Sequence, residues 1–135
     1  MVDMPKGVRK ISYTWNNLEH DRSLLVRKIR SQEKRQGFSF KRIYGLPRGG
    51  LPLAVCLSHD LGIDLVLELP KKFDQELIVC DEIADTGRTL RSIKKTGYFI
   101  VVIHKHSESI TEPDIWLREK PNHTWIAYAW EARND

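Results

Sequence analysis

The sequence predicts an α/β protein of three layers, in which a mostly parallel sheet is flanked by helices. Short apolar and β-branched runs alternate along the chain with longer stretches of helical periodicity, which is typical of strands joined by crossover helices. Charged and glycine-rich clusters follow several of the apolar runs. Because ligands of parallel sheets bind beyond the carboxyl ends of the strands, these clusters indicate a binding site at one edge of the sheet.

Capping residues bound the expected helices. Thr14 is a plausible N-cap, while Gly37, Gly62 and Gly97 follow the expected last turns of three helices. The first helix is strongly basic, which suits a solvated face or, as the alternative, a nucleic-acid contact. The expected elements, in order, are a helix from Thr14 to about Gln36, a strand at Arg42–Gly45, a helix at Leu51–Leu61, strands at Ile63–Leu69 and Leu77–Cys80, a helix at Thr89–Thr96, and strands at Tyr98–His104, Ile115–Leu117 and Thr124–Ala129.

Length and composition favour a single domain over residues 1–135, with a loose basic lead-in over about residues 1–10. Domains cluster at about 100–150 residues. The chain has 135 residues, of which 41% are hydrophobic and 30% charged, and this composition excludes a disordered or fibrous protein. The formal charge of +4 suits an anionic ligand, either a phosphate compound or nucleic acid.

We expect a soluble, cytoplasmic protein. The N-terminal residues lack the apolar core of a signal peptide. The longest apolar runs, such as Tyr98–Ile103, are far shorter than the roughly 18 residues that a membrane span needs. Cys56 and Cys80 lie far apart within apolar stretches, so they are expected as reduced, buried thiols.

The segment from Leu77 to Thr89, LIVCDEIADTGRT, combines features that bind a sugar phosphate. Its apolar residues predict a central strand, after which Asp81 and Glu82 offer carboxylates to the hydroxyls of a ribose or to a divalent cation such as Mg²⁺. Asp85 and a turn of threonine and glycine then open a helix, where backbone N–H groups, hydroxyls and the helix dipole attract a phosphate. The segment is neither a Walker A loop nor a dinucleotide-binding fingerprint.

This segment resembles the signature of the type I phosphoribosyltransferases, in which an apolar strand, two acidic residues and D-T-G-x-T bind phosphoribosyl diphosphate (PRPP). The copy here departs from the common form at Arg88, where glycine is usual; Arg88 either reinforces phosphate binding or points outward. The resemblance implies the type I phosphoribosyltransferase fold. It also implies a Mg²⁺ ion held by Asp81 and Glu82 through PRPP and water.

The turn Pro47-Arg48-Gly49-Gly50 resembles the pyrophosphate loop of the same family. Arg48 offers a fork of donors to a phosphate, and the glycines expose backbone N–H groups. A cis peptide bond costs least before Pro47 and several kcal/mol after it, and the sequence leaves the isomer open. The residues that the resemblance implies in PRPP binding are Arg48, Gly49, Asp81, Glu82, Asp85, Thr86, Gly87, Arg88 and Thr89.

The C-terminal third is similar to the 6-oxopurine branch of this family. Lys105 follows an expected strand, and the pair Trp125-Ile126 precedes Trp130. A lysine can donate to a carbonyl oxygen of a base, and stacking on a tryptophan contributes about 1–3 kcal/mol per base. By resemblance, Lys105 bonds the 6-oxo group, Trp125 stacks on the purine and Ile126 offers its backbone. Residues 105–135 would then form a base-binding region with a small C-terminal hood.

The resemblance implies transfer of the 5-phosphoribosyl group from PRPP to guanine, xanthine or hypoxanthine in purine salvage, with release of diphosphate. Asp85 is the candidate general acid/base, because it lies where the imidazole edge of the purine is expected. Arg48 would stabilise the charge that builds on the leaving group. The expected partners are PRPP and a purine base, in a homo-oligomer of two or four chains, with neither nucleic acid nor a membrane.

The connection between the second and third expected strands departs from the family pattern. Only Pro70–Gln75 lies between Leu69 and Leu77, where family members usually have a long mobile lid. The chain would therefore have almost no lid of that kind. The missing lid and the basic charge favour one alternative, a PRPP- or nucleotide-sensing regulator of the same fold that binds nucleic acid. A phosphoribosyltransferase for another base is a second alternative.

Overall fold

A computed structural model describes residues 7–131. Within that range, strands and helices alternate as the sequence predicts. The strands are β1 Arg9–Tyr13, β2 Arg42–Gly45, β3 Asp64–Val66, β4 Leu77–Ala84, β5 Phe99–His106, β6 Arg118–Lys120 and β7 Thr124–Tyr128. The helices are α1 Trp15–Gln36, α2 Leu51–Leu61 and α3 Arg88–Thr96, with a single 3₁₀ turn at Ala129–Glu131.

The main sheet has five parallel strands in the order β3-β2-β4-β5-β6. A second, two-stranded parallel sheet pairs β1 with β7. We call this small sheet the hood. Strand β4 lies at the centre of the main sheet, between β2 and β5, so the segment that carries the acidic residues is also the best supported strand. The predicted fold class is confirmed.

The three layers follow from the burial of both faces of β4. Ile78 and Cys80 join one apolar cluster with residues of α1 and α2. Leu77 and Val79, which point to the other face, join a second cluster with Leu90 of α3. Because successive side chains of a strand point to opposite faces, a strand that is apolar throughout needs a helical layer on each side.

The ends of α1 show why the sequence placed this helix correctly. The side chain of Thr14 accepts a hydrogen bond from the amide of Asn17 at 3.0 Å, and the side chain of Asn17 accepts one from the amide of Thr14 at 2.8 Å. This reciprocal pair satisfies two donors at the helix start. Gly37, with a φ of 85°, ends the helix in the left-handed conformation that glycine adopts most easily.

Two strands run further than the sequence indicated. β4 continues to Ala84 and β5 to His106, because their parallel pairing persists through the pair Ala84 and Lys105. The acidic pair and Lys105 therefore lie within strands rather than after them. Backbone pairing with a neighbouring strand holds their positions, which a loop would not do.

The lead-in expected over about residues 1–10 is wrong at its last two residues. Arg9 and Lys10 already belong to β1, which pairs with β7 more than a hundred residues later in the chain. Residues 1–6 lie outside the described residues. Local patterning did not predict β1, because its stability depends on a partner at the other end of the sequence.

Two short strands also differ from the prediction. β3 covers only Asp64–Val66 of the expected Ile63–Leu69. Ile115 forms an isolated bridge with Val101, and the strand β6 begins three residues later, at Arg118. Both strands lie at the edges of the main sheet, where pairing on one side alone gives less support to a long strand.

The β3–β4 connection is short, as expected, and is attached to the amino ends of the strands. The ring of Phe73 packs on that of Tyr98 with centroids 4.8 Å apart. The carboxylate of Asp74 accepts hydrogen bonds from Arg42 at 2.5 and 3.2 Å, and its amide donates to the hydroxyl of Tyr98. These contacts hold the connection at the end of the sheet opposite to the carboxyl ends of the strands.

Cys56 and Cys80 are free thiols, half-buried and buried respectively. Burial raises the pKa of both thiols. Among the helices of residues 7–131, none combines the length and the apolar character that a membrane crossing requires.

Candidate active site

The turn after β2 lies directly on the backbone of β4. The amide of Leu46 donates to the carbonyl of Cys80 at 2.9 Å. A Cβ atom built on Gly50 would lie 2.7 Å from that same carbonyl oxygen and 3.0 Å from the Cα of Asp81. The peptide bond between Pro47 and Arg48 is cis. The sequence left open which bond of this turn is cis, and the structure has it after the proline. Arg48 itself is exposed.

The side chain of Glu82 lies directly against the backbone of Gly49. A Cβ atom on Gly49 would lie 1.3 Å from Oε2 of Glu82, so the glutamate side chain fills the space that any larger residue at position 49 would need. Glu82 is buried there, while Asp81 beside it is half-buried. The structure thus brings the two clusters, separated by more than thirty residues in sequence, to one point at the carboxyl edge of the sheet.

Burial governs the ionisation of the acidic pair. It raises the pKa of Glu82 to about 9, and the hydrogen bond and negative charge of Asp81 add to the effect. Burial also raises the pKa of Asp81, although hydrogen bonds from Glu82 oppose the shift. Burial therefore favours the protonated form of Glu82 when no cation or hydroxyl donor is near.

The acidic pair fits Mg²⁺ as a partial ligand set. Among residues 7–131, no group of three or more His, Cys, Asp or Glu side chains is arranged to hold a metal alone. Mg²⁺ is commonly bound by one or two carboxylates, with water and substrate phosphates completing the coordination. Asp81 and Glu82 supply that number of hard oxygen ligands.

Residues 109–111 support one side of the turn between β4 and α3. Gly87 has a φ of 82°, and a Cβ atom there would lie 2.5 Å from Oγ of Ser109. The hydroxyl of Thr111 donates to the carbonyl of Gly87 at 2.5 Å, and the amide of Ile110 donates to the carbonyl of Thr86 at 2.9 Å. These bonds engage the carbonyls of the turn on one side.

The opposite side of the same turn can receive an anion. Thr86, Arg88 and Thr89 are exposed. Helix α3 begins at Arg88, and the first amides of a helix have no partner within it. The helix dipole adds positive potential at this point. The arrangement supports phosphate binding, and exposed Arg88 can add its charge.

Asp85, which follows β4, is in contact with two basic side chains. Nζ of Lys120 lies 3.0 Å from each carboxylate oxygen of Asp85. Nδ1 of His106 lies 3.3 Å from Oδ1 of the same carboxylate, and Nε2 of His106 lies 2.6 Å from the side-chain oxygen of Asn122. Side chains of β5 and β6 therefore hold the carboxylate of Asp85, the candidate acid/base group.

The residues expected to bind the base lie on β5 and β7. Lys105 is adjacent to Ala84, the last residue of β4; its ammonium lies 2.9 Å from Glu112 and 5.5 Å from the ring centroid of Trp116. On β7, Ile126 is buried in the main core, and Trp125, which points to the opposite face, is half-buried.

A buried network joins the hood to the main sheet. Arg118 donates to both carboxylate oxygens of buried Asp21, at 2.7 and 3.0 Å, and the hydroxyl of Tyr13 donates to one of them at 2.7 Å. Burial alone would raise the pKa of Asp21, but these hydrogen bonds lower it below its usual value. The hydroxyl of Tyr128 donates to the main-chain carbonyl of Glu82 at 3.2 Å. Strand β7 is thereby linked to the strand that carries the acidic pair.

Known proteins resemble the chain over almost its whole length, although no family model matches it. The xanthine-guanine phosphoribosyltransferase of Desulfotalea psychrophila is 25% identical over 156 aligned residues, which cover 99% of this chain and 92% of that protein. The purine phosphoribosyltransferase from Pyrococcus horikoshii has a TM-score of 0.75 at 26% identity, with 93% of this chain and 96% of that one covered. The fold is that of the type I phosphoribosyltransferases.

A further solved structure agrees with this assignment. The Helicobacter pylori xanthine-guanine-hypoxanthine phosphoribosyltransferase has a TM-score of 0.73 at 19% identity, and the match covers 91% of this chain and 94% of that one. The resemblance of the sequence to the 6-oxopurine branch is confirmed by the relatives that match it.

Several neighbours of the candidate site were not predicted from the sequence. Lys120 and His106 face each other across β5 and β6, but the sequence placed the last edge strand three residues too early. Trp116 and Glu112, which contact Lys105, lie in a loop without a motif. The sequence did offer one signal, a basic residue at the end of each of two strands. Its use required the correct pairing register of those strands.

Proposed function

We propose that the protein transfers the 5-phosphoribosyl group from PRPP to a 6-oxopurine base and releases diphosphate, as an enzyme of purine salvage. The observation that carries the proposal is the contact between Gly49 and Glu82, which joins a loop suited to diphosphate with an acidic pair suited to ribose and Mg²⁺. The phosphate-binding turn follows two residues after the same strand. The similarity to purine phosphoribosyltransferases supports the same reaction.

The donor would lie along the carboxyl ends of β2 and β4. Asp81 and Glu82 accept hydrogen bonds from the ribose hydroxyls once they are ionised. Thr86, Thr89 and the first amides of α3 bind the 5′-phosphate, and Gly87 allows the backbone to approach it. Arg48 and the amide of Gly49 bind the diphosphate, whose negative charge grows as the bond to C1′ breaks.

Asp81 and Glu82 would hold the Mg²⁺ ion together with PRPP and water. When bound, the ion neutralises the charge of the diphosphate. Burial raises the pKa of Glu82 to about 9, and a cation or a ribose hydroxyl bound at this point would favour loss of its proton. Arg48 supplies the protein's own guanidinium group for the leaving diphosphate.

The acceptor base would bind between Lys105 and Trp125. Lys105 donates to the 6-oxo group, Trp125 stacks on the ring, and the backbone of Ile126 bonds the far edge. Asp85 accepts the proton of the imidazole edge as the purine nitrogen attacks C1′. We also propose a cytoplasmic homo-oligomer of two or four chains, in which a neighbouring chain takes over the water exclusion that the short β3–β4 connection does not supply.

Turnover tests the proposal directly. The protein is incubated with PRPP and Mg²⁺ and, in separate reactions, with guanine, xanthine, hypoxanthine, adenine and uracil, and nucleotide formation is measured. We expect product with one or more of the three 6-oxopurines and no product from Asp81→Asn/Glu82→Gln. Product only with adenine or uracil would favour another base. No product with any base, together with salt-dependent binding of RNA or DNA, would favour the regulator.

A further inference from the structure

The contact between Lys120 and Asp85 differs from an ordinary surface ion pair. The ammonium lies at 3.0 Å from both carboxylate oxygens, and the lysine side chain is only 15% exposed, whereas that of Asp85 is 46% exposed. Exposed ion pairs contribute little to stability, typically about 0–1 kcal/mol. A largely shielded lysine that bonds both oxygens instead restricts the direction in which the carboxylate points.

Within this contact, the secondary structure fixes the basic partners more firmly than it fixes Asp85. Asp85 lies in the turn after β4, where backbone pairing has ended. Lys120 is the last residue of β6 and is paired in register with His106 of β5, so both basic groups come from the main sheet. The carboxylate of Asp85 is therefore oriented by groups that the sheet holds in place. His106 is further fixed by its contact with Asn122.

We propose that Lys120 is a positioning residue for the transfer reaction, which holds the carboxylate of Asp85 towards the imidazole edge of the base. The inference rests on the proposed function of this site and adds a residue to it. Lys120 has no direct contact with the reacting atoms in this scheme. Its contribution is the orientation of Asp85, because small displacements of a reacting group reduce the rate strongly.

The test compares three lysine variants. Lys120→Met keeps the length of the side chain and removes the charge, and Lys120→Arg keeps the charge and offers two donors to the carboxylate. Lys94→Met is the matched control, since Lys94 of α3 forms a 2.9 Å pair with Asp114, outside the site. Thermal unfolding of each variant verifies that it folds, and kcat, the KM of guanine and the Kd of PRPP are measured.

We expect Lys120→Met to lower kcat by about 10-fold or more, through the misplacement of Asp85, while the Kd of PRPP changes by less than about 2-fold. Lys120→Arg restores most of the loss, and Lys94→Met changes neither constant. In an Asp85→Asn background, Lys120→Met causes no further loss of kcat, because the group that it orients is already gone.

Two results would overturn the inference. One is a wild-type kcat in Lys120→Met. The other is an equal loss of kcat from that substitution with and without Asp85, which would show that the lysine acts elsewhere. A wild-type protein without turnover on any base would overturn the proposed function itself, and this inference with it.

Discussion

The hydroxyl of Tyr128 lies 2.8 Å from Nδ1 of His104, and both side chains are buried. Tyr128 belongs to the hood strand β7, and His104 belongs to β5 of the main sheet. The same hydroxyl donates to the carbonyl of Glu82 on β4. One phenol group therefore connects three strands, and it lies three residues after Trp125, the residue expected to stack on the base.

Tyr128→Phe is expected to destabilise the protein. The substitution removes the partner of a buried imidazole nitrogen and a donor to a buried carbonyl. A buried polar group left without its partner costs about 1–3 kcal/mol, so the free energy of unfolding in urea should fall by that amount. Tyr98→Phe is the control, because buried Tyr98 accepts a single, longer bond of 3.3 Å from Asp74. Equal losses in the two variants would contradict the role of Tyr128.

His104 predicts a loss of stability in mild acid. Burial, together with the charge of Arg118, lowers the pKa of His104 to about 4, whereas an unfolded histidine has a pKa near 6.5. Between these values the unfolded chain binds a proton that the folded protein does not. The contribution of neutral His104 to the unfolding free energy is therefore complete above about pH 6.5. It falls as the pH drops towards 4, by up to about 1.4 kcal/mol per pH unit.

Comparison with His104→Gln isolates this effect. Glu82 acts in the opposite direction, because its pKa of about 9 in the folded protein favours folding at low pH. Urea unfolding from pH 4 to 7 should therefore be compared between the wild type and a variant whose residue 104 does not titrate. The difference between the two curves should widen as the pH rises through this window. Parallel curves would show that the pKa of His104 is the same in the folded and unfolded states.

The sequence predicted most of the main sheet because the signals were local. Thr14, Gly37 and Gly62 marked helix ends that the structure confirms. The apolar run before Asp81 predicted a central strand, and the loops expected to bind PRPP follow β2 and β4 as placed. In each case neighbouring residues carried the information.

The rest depends on contacts between distant parts of the chain. β1 is stable only beside β7, and Asp85 meets Lys120 only because β6 pairs with β5. Likewise, a side chain at position 49 is excluded only because the side chain of Glu82 points there in the folded protein. A single sequence does not record the register of parallel strands, so these relationships exist only in the folded structure.

Asp85→Asn tests the acid/base role of the residue. Asparagine has nearly the same shape and can still contact Lys120, but its amide does not accept a proton. We expect kcat with guanine to fall by about 100-fold or more, in the range that general acid–base catalysis contributes, while the Kd of PRPP changes little. Titration calorimetry with PRPP and Mg²⁺ measures the second quantity. A variant with nearly wild-type turnover would remove Asp85 from the mechanism.

Gly49→Ala separates binding of the donor from folding. The new Cβ atom would overlap the carboxyl end of Glu82, which is flexible and can move away. The fold should therefore persist, with an unfolding free energy within about 1 kcal/mol of wild type, because a side-chain shift relieves the contact. Since Glu82 leaves the site, we expect the Kd of PRPP to rise by about 10-fold or more, as the loss of a charged hydrogen-bonding group predicts.

Gly50→Ala is the contrasting variant, because the atoms that its Cβ would meet belong to backbone. They are the carbonyl oxygen of Cys80 at 2.7 Å, the carbonyl oxygen of Leu46 at 2.9 Å and the Cα of Asp81 at 3.0 Å. Backbone at the centre of a sheet cannot give way, so this substitution should lower the unfolding free energy by about 1–3 kcal/mol. If alanine at position 49 destabilised the protein as much and left PRPP binding intact, Gly49 would serve packing rather than the placement of Glu82.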